Sequence, residues 1–174
     1  MPLPPIYDPK AVEPLWQELV AVGVESLTTP EQVDEALSAK PGTTLVIVNS
    51  VCGCAAGQAR PGVMLGLQNA IIPDRSVTVF AGVDRDAVDR ARGYMSAYAP
   101  SSPSIGLFKD GKQVFMLQRI DLQRMNEPQV AAALSKAFDA HCSRTGPSID
   151  AETYKQIRPY EGCGSRIPMM PVRA

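Results

Sequence analysis

The residues of this chain best placed to do chemistry are two cysteines separated by one glycine, Cys52-Gly53-Cys54. A thiolate, not a thiol, attacks a disulfide, and a free cysteine has a pKa of about 8.5, so a working nucleophile needs that value lowered. The first turn of a helix lowers it through unpaired backbone N–H groups and the positive end of the helix dipole. Cys52 falls where such a turn is expected, because the strand-like run Thr43 to Val48 leads straight into it and helix-forming sequence begins at Ala55. No histidine lies nearby to assist. Gly53 is expected to permit a tight turn and leave the sulfur accessible. Cys54 is near enough to resolve a mixed disulfide formed on Cys52. A disulfide across one intervening residue closes a smaller ring than the usual redox spacing of two, and its geometry is hard to satisfy without strain. Such a pair is expected to have a high potential, to donate oxidation or shuffle bonds, and to suit the removal of a small thiol from a client.

The same pair admits other uses. It could belong to a metal site, with Cys142, Cys163 and His141 as further ligands far along the chain, or to a redox-sensing module whose state alters a partner surface. Cys142 ends a helical pattern, where the negative end of the dipole disfavours a thiolate, so a structural or surface thiol is expected. Cys163, in Glu161-Gly162-Cys163-Gly164, reads as an exposed free thiol, with pairing to Cys142 or an extra redox role as the alternatives, and His141 as a cation at a helix C-terminus. Arg60 would assist a thiolate only if it turned inward, and Asn49 and Ser50 could hydrogen-bond the turn. Trp16 and Phe138 are expected in the core, while Met169 and Met170 could cover an apolar patch.

The surrounding pattern supplies the frame. A helix is expected over Glu13 to Ala21, then a short extended run from Val24 to Leu27. A second helix is capped by Thr29, with Pro30 in its first position. Thr43 to Val48 (TTLVIV) suits a central strand buried on both faces. Helical sequence from Ala55 to Asn69 is interrupted by Pro61 and Gly62, which should bend it. A strand at Ser76 to Ala81 and a helix from Asp84 to Tyr98 follow. Strands at Ile105 to Lys109 and Gln113 to Gln118 flank Asp110-Gly111, a strong hairpin signal, and a last helix spans Glu127 to Cys142. Alternating β and α units with a closing hairpin predict an α/β chain: a three-layer, thioredoxin-like fold with a central mixed sheet and helices on both faces. The expected organisation is one such domain over 1–142 and a Gly/Pro-containing, poorly structured extension over 143–174. Ser102-Pro103 precedes the hairpin, where that fold places a cis-proline facing its cysteines. These two residues complete the expected site, because a cis bond there would leave a backbone edge free for a client chain.

Composition narrows the partners. The 174 residues are 45% apolar and 20% charged, with a net charge of -1 and a pI of about 5.8. Neither nucleic acid nor a membrane surface is favoured. Four cysteines are too few for a disulfide-built secreted scaffold. The start, MPLPPIYDPK, lacks a secretory pattern, and no apolar run reaches the roughly 18 residues of a membrane span, so the cytoplasm is the expected compartment.

The runs NSVCGCAAGQARPG (Asn49 to Gly62), YAPSSPSIGLFKDGK (Tyr98 to Lys112) and AFDAHC (Ala137 to Cys142) together resemble the bacilliredoxin family. The resemblance covers about residues 12–142. It implies a thioredoxin-like fold and a thiol–disulfide oxidoreductase that reduces bacillithiol mixed disulfides on client proteins, or isomerises disulfides. Cys52 would attack and Cys54 resolve. No resident cofactor is implied; the low-molecular-weight thiol is a co-substrate. One departure is that this chain has Ile120 and Asp121 where the family pattern carries histidines, so no role passes to those positions.

Overall fold

β-Branched, apolar sequence places one strand at the centre of everything else. In this computed structural model, which describes residues 1–38, 41–159 and 166–171, that strand is Thr43–Asn49. The elements in chain order are α1 (Pro9–Val20), β1 (Glu25–Ser26), α2 (Pro30–Leu37), β2 (Thr43–Asn49), a π-helical turn (Ala55–Ala59) running into α3 (Arg60–Gly66), and β3 (Ile71–Ile72). They continue with β4 (Arg75–Phe80), α4 (Arg85–Tyr94), β5 (Ser104–Lys109), β6 (Lys112–Leu117), α5 (Arg119–Leu122), α6 (Glu127–His141), β7 (Arg144–Thr145) and α7 (Ala151–Gln156).

The main sheet has the order β1-β4-β2-β5-β6. β4 pairs in parallel with β1 and β2, while β5 pairs antiparallel with β2 and β6. Successive residues of β2 point to opposite faces, so each face receives its own core. Leu45 and Ile47 join Leu19 of α1, Val63 and Met64 of α3, and Val130, Leu134 and Phe138 of α6. Val46 and Val48 join Val33 and Leu37 of α2 and Ala87, Val88 and Ala91 of α4. Each fully buried aliphatic side chain contributes about 1.5–3 kcal/mol. The result is the expected thioredoxin-like arrangement: a mixed sheet between two helical layers.

Local sequence explains most boundaries. Thr29 and Gln32 close a capping box at α2, and Asn126 with Gln129 closes another at α6. Asp110 and Gly111 take positive φ at the hairpin tip, as a two-residue turn requires. α1 starts four residues earlier than expected, because Asp8 accepts the Lys10 N–H and Pro9 occupies the first turn. α4 stops at Tyr94, short of Tyr98.

Two features differ in kind from the expectation. Pro61 and Gly62 do not interrupt the helix. One extra residue is taken up as the π turn just before Pro61, whose missing N–H suits the start of α3. Gly62 serves packing: a Cβ there would strike the Val130 side chain, so its absence lets α3 lie close against α6. The residues after α6 also carry structure. β7 pairs with β3, and Ile149, Tyr154 and Ile157 pack onto the core. Met169 bridges to Tyr7, beside the N-terminal segment. Ile149, Tyr154 and Ile157 are partly buried against the core, whereas the Met169 side chain stays exposed.

Candidate functional site

The cysteine loop stands on a buried polar frame. Asn49, the last residue of β2, donates through Nδ2 to the Leu15 carbonyl of α1, and its Oδ1 accepts the Ser50 N–H at 2.8 Å. Arg60 is 1% exposed and forms an ion pair with the equally buried Glu18 of α1. Its Nη1 donates to Asn49 Oδ1 at 3.2 Å and to the Ser50 carbonyl at 3.0 Å. Burying two charges is tolerable only when they are paired and hydrogen-bonded, and this pair is both. The frame fixes Ser50, and Ser50 in turn accepts the Cys52 N–H through its hydroxyl at 3.1 Å.

At Cys52 the chain turns into the helix. Its carbonyl accepts the N–H groups of Ala55 and Ala56 at 3.1 and 3.2 Å, so Cys52 caps the helix start. The Cys52 and Cys54 sulfurs are 2.6 Å apart and both half-buried. Burial opposes ionisation of Cys52. Hydrogen bonds from the Cys54 thiol, the Ser50 hydroxyl and the Ala55 backbone N–H, with the nearby Arg119 cation, outweigh it and hold Cys52 below the ordinary thiol value. Cys54 is pushed up to about 11, by burial, by donating its hydrogen bond to Cys52 and by the Cys52 charge. The two sulfurs therefore divide one proton unequally: Cys52 ionises and Cys54 keeps its hydrogen.

A second loop faces this turn. The Ser102–Pro103 peptide is cis, as expected, and Pro103 is buried at the start of β5. Arg119 ties that loop to α5: its N–H lies 3.4 Å from Ser101 Oγ and its Nη1 3.4 Å from the Ser102 carbonyl. Asp121 closes the capping box of α5 by accepting the Gln118 N–H at 2.8 Å. The position where the family pattern differs thus orients the helix that carries Arg119. Cys52, Ser50, Ser102 and Arg119 all line one cleft of about 420 Å³.

The structure therefore brings Cys52, Cys54, Gly53, Ser102 and Pro103 to one end of the sheet. One of the two expected reasons for Gly53, the tight turn, does not hold. Its φ lies outside the left-handed region and a Cβ there would meet nothing within 4 Å, so the turn does not require glycine. Its missing side chain leaves the approach to the sulfurs open. Arg60 turns inward but engages Glu18, Asn49 and Ser50, supporting the loop from beneath. Cys142 is held above the ordinary thiol value chiefly by burial, with the Asp74 and Asp139 carboxylates adding to it and a Thr43 hydrogen bond and the Lys109 cation opposing. Cys163 lies outside the described residues. Among those described, no three His, Cys, Asp or Glu side chains group as a metal site, and no helix is long and apolar enough to cross a membrane. Sequence reasoning missed Arg119; its signal was a cation opening a short helix directly after the hairpin.

A family model described as disulphide isomerase matches residues 7–142. The chain belongs to that family. Relatives include a bacilliredoxin of Koribacter versatilis (strain Ellin345), 46% identical over 80% of this chain and 97% of that one. A bacilliredoxin of Halalkalibacterium halodurans is 52% identical over 73% of this chain and 87% of its own. Among solved structures, thioredoxin O2 from Arabidopsis thaliana in its oxidized state aligns with a TM-score of 0.47 and 15% identity, covering 67% of this chain and 96% of that one. As a member of the disulphide isomerase family with bacilliredoxin relatives, this protein is a thiol–disulfide oxidoreductase.

Proposed function

We propose that this oxidoreductase removes low-molecular-weight thiols, of the bacillithiol type, from mixed disulfides on client proteins, with Cys52 attacking and Cys54 resolving. The observation that carries the assignment is the placing of two half-buried sulfurs 2.6 Å apart at the strand-to-helix turn, with Ser50 and the helix start holding Cys52. The Cys52 thiolate attacks the small-thiol sulfur of the mixed disulfide; the client leaves as a thiolate and takes up a proton. Cys54 then loses its proton and attacks the Cys52 sulfur, and the small thiol leaves. A Cys52–Cys54 disulfide remains, and an external thiol reductant restores the dithiol by the same exchange. Once an adduct sits on Cys52, that sulfur no longer bears the negative charge that holds the Cys54 proton, so Cys54 ionises more readily when it is needed.

Gly53, Ser102 and Pro103 shape the approach to Cys52 in this proposal. No resident cofactor takes part; the small thiol is a co-substrate, and the reducing cytoplasm is the compartment that suits the cycle. Disulfide isomerisation starts instead from attack of the Cys52 thiolate on a disulfide within the client, releasing one client thiolate; a second client thiol, rather than Cys54, then attacks the client sulfur bound to Cys52, forming a new client disulfide and freeing the Cys52 thiolate.

The test uses a client protein carrying a bacillithiol or glutathione adduct, incubated with reduced protein. Mass spectrometry follows the adduct. The expected result is transfer to Cys52 in Cys54→Ser, and release of free small thiol with a Cys52–Cys54 disulfide in the wild type. A client that keeps its adduct, or an adduct found on Cys142 or Cys163, overturns the proposal.

A further inference from the structure

The cleft that exposes Cys52 is unevenly charged. Arg85 and Arg92 line it from α4, two helical turns apart on one face, and Arg119 lines it from the start of α5. The only acidic group among its lining residues is Asp89, whose side chain is 66% exposed and 4.0 Å from Arg92 Nη1. Three guanidinium groups thus stand against one solvated carboxylate.

Neither Arg85 nor Arg119 forms an ion pair among the described residues, and Arg92 has only the solvated Asp89 at 4.0 Å. Arg85 Nη1 donates to the Pro4 carbonyl and Arg119 Nη1 to the Ser102 carbonyl, contacts that position a cation without cancelling its charge. Arg92 Nε is buried and has no hydrogen-bond partner, an expensive condition for such a donor. Arg90, on the same helix, makes the contrast: it pairs with Asp34 at 2.6 Å and stacks on Tyr94. The arginines of α4 are therefore split between one that holds the fold and two that line the cleft beside the reactive sulfur.

Guanidinium groups of this kind recognise carboxylates through paired N–H donors. The volume, about 420 Å³, suits a small molecule and lies within the range of ordinary ligand pockets. We propose that the cleft is a carboxylate-binding subsite for the small-thiol half of the mixed disulfide, with Arg92 and Arg85 holding its anionic end while its sulfur meets Cys52. The inference rests on the assignment of Cys52 as the attacking sulfur, and it adds what selects and seats the small-thiol half that is attacked. With the small thiol seated in the cleft, its sulfur is presented to Cys52 and the client's sulfur becomes the leaving group. A carboxylate-bearing small thiol is preferred over a neutral or cationic one.

The test is a charge series of symmetrical disulfides: anionic 3,3′-dithiodipropionate, neutral bis(2-hydroxyethyl) disulfide and cationic cystamine. Each is reacted with the reduced full chain under pseudo-first-order conditions. The readout is the ratio of the anionic to the neutral rate, which cancels any change in Cys52 itself. The ratio is expected to fall about tenfold in the double variant Arg85→Gln/Arg92→Gln, and to fall with added salt in the wild type. A ratio unchanged by the double substitution and by salt overturns the subsite. Titration with S-methylglutathione, a dicarboxylate unable to exchange, reads the subsite separately by amide chemical-shift changes. If Cys52 reacts with none of the disulfides, the assignment of Cys52 fails. The subsite then stands if S-methylglutathione shifts cleft residues in the wild type and not in the double variant, and falls if it shifts neither. Displacement by an acidic peptide, with no response to S-methylglutathione, also overturns it and assigns the cleft to a client segment.

Discussion

Two half-buried cysteines bracket the central strand. Cys142 lies against Thr43, where β2 begins, and Cys52 lies just past Asn49, where β2 ends. Burial pushes both thiols up. At Cys142 less resists it: one hydroxyl donates and the Lys109 cation helps, while Asp74 and Asp139 add negative charge. At Cys52 three donors and a cation converge, and the balance reverses. The difference teaches that burial alone does not set a thiol's reactivity. What matters is how many N–H, O–H and S–H groups point at the sulfur, and which sign of charge stands behind them.

The sharpest way to break this comparison is to remove each sulfur in turn. Cys52→Ser is expected to lower thiol–disulfide exchange by at least about three orders of magnitude, while Cys142→Ser leaves it within about twofold. A stopped-flow assay with a neutral aromatic disulfide checks both; equal losses would end the distinction. The next largest effect comes from undermining one pole only. Glu18→Gln strands the buried Arg60 and should cost about 3 kcal/mol in a denaturant melt. The same variant should slow alkylation of Cys52 through the displaced Ser50, leaving Cys142 alkylation unchanged.

Cys54→Ala sharpens the comparison by taking away the donor closest to Cys52. A lowered pKa means that thiolate is present at a lower pH, so in the wild type Cys52 should react with iodoacetamide in a pH range where Cys142, shifted the opposite way, is still protonated. Removing Cys54 should move the Cys52 profile upward and cut its rate near neutral pH by about tenfold, corresponding to about one pKa unit. Ser50→Ala removes a weaker donor and is expected to slow the same reaction by about threefold. Peptide mapping of the alkylated cysteines distinguishes Cys52, Cys54, Cys142 and Cys163. A Cys52 profile that coincides with that of Cys142 would contradict the assignment.

Much of this was legible before the fold. The CGC spacing, the β-branched run ahead of it and the helix-forming run behind it fix Cys52 at a strand-to-helix switch. Ser102-Pro103 was legible from its place before the Asp110-Gly111 hairpin. Other parts were illegible for definite reasons. Gly53 looked like a conformational glycine, but its backbone lies in ordinary space, because the helix already begins there. Gly62 looked like a helix breaker, but its lack of a Cβ matters only because Val130, far along the chain, packs against it. Arg60 is eight residues from Cys52, yet its partner Glu18 is forty-two away.

The sequence by itself determined the nucleophilic pair, its place at the end of a buried strand, and the α/β order that makes a mixed sheet. These depend on neighbours within a few positions, where periodicity and capping act directly. Only the tertiary structure decided which groups favour the Cys52 thiolate over that of Cys54. That choice rests on the hydrogen bonds that Ser50 and Ala55 give Cys52, with Arg60 and Glu18 holding Ser50 in place, while Arg119, arriving from α5, favours both thiolates. Electrostatic and hydrogen-bond energies depend on distances in space, and those distances exist only once α1, α5 and the cysteine loop have packed together.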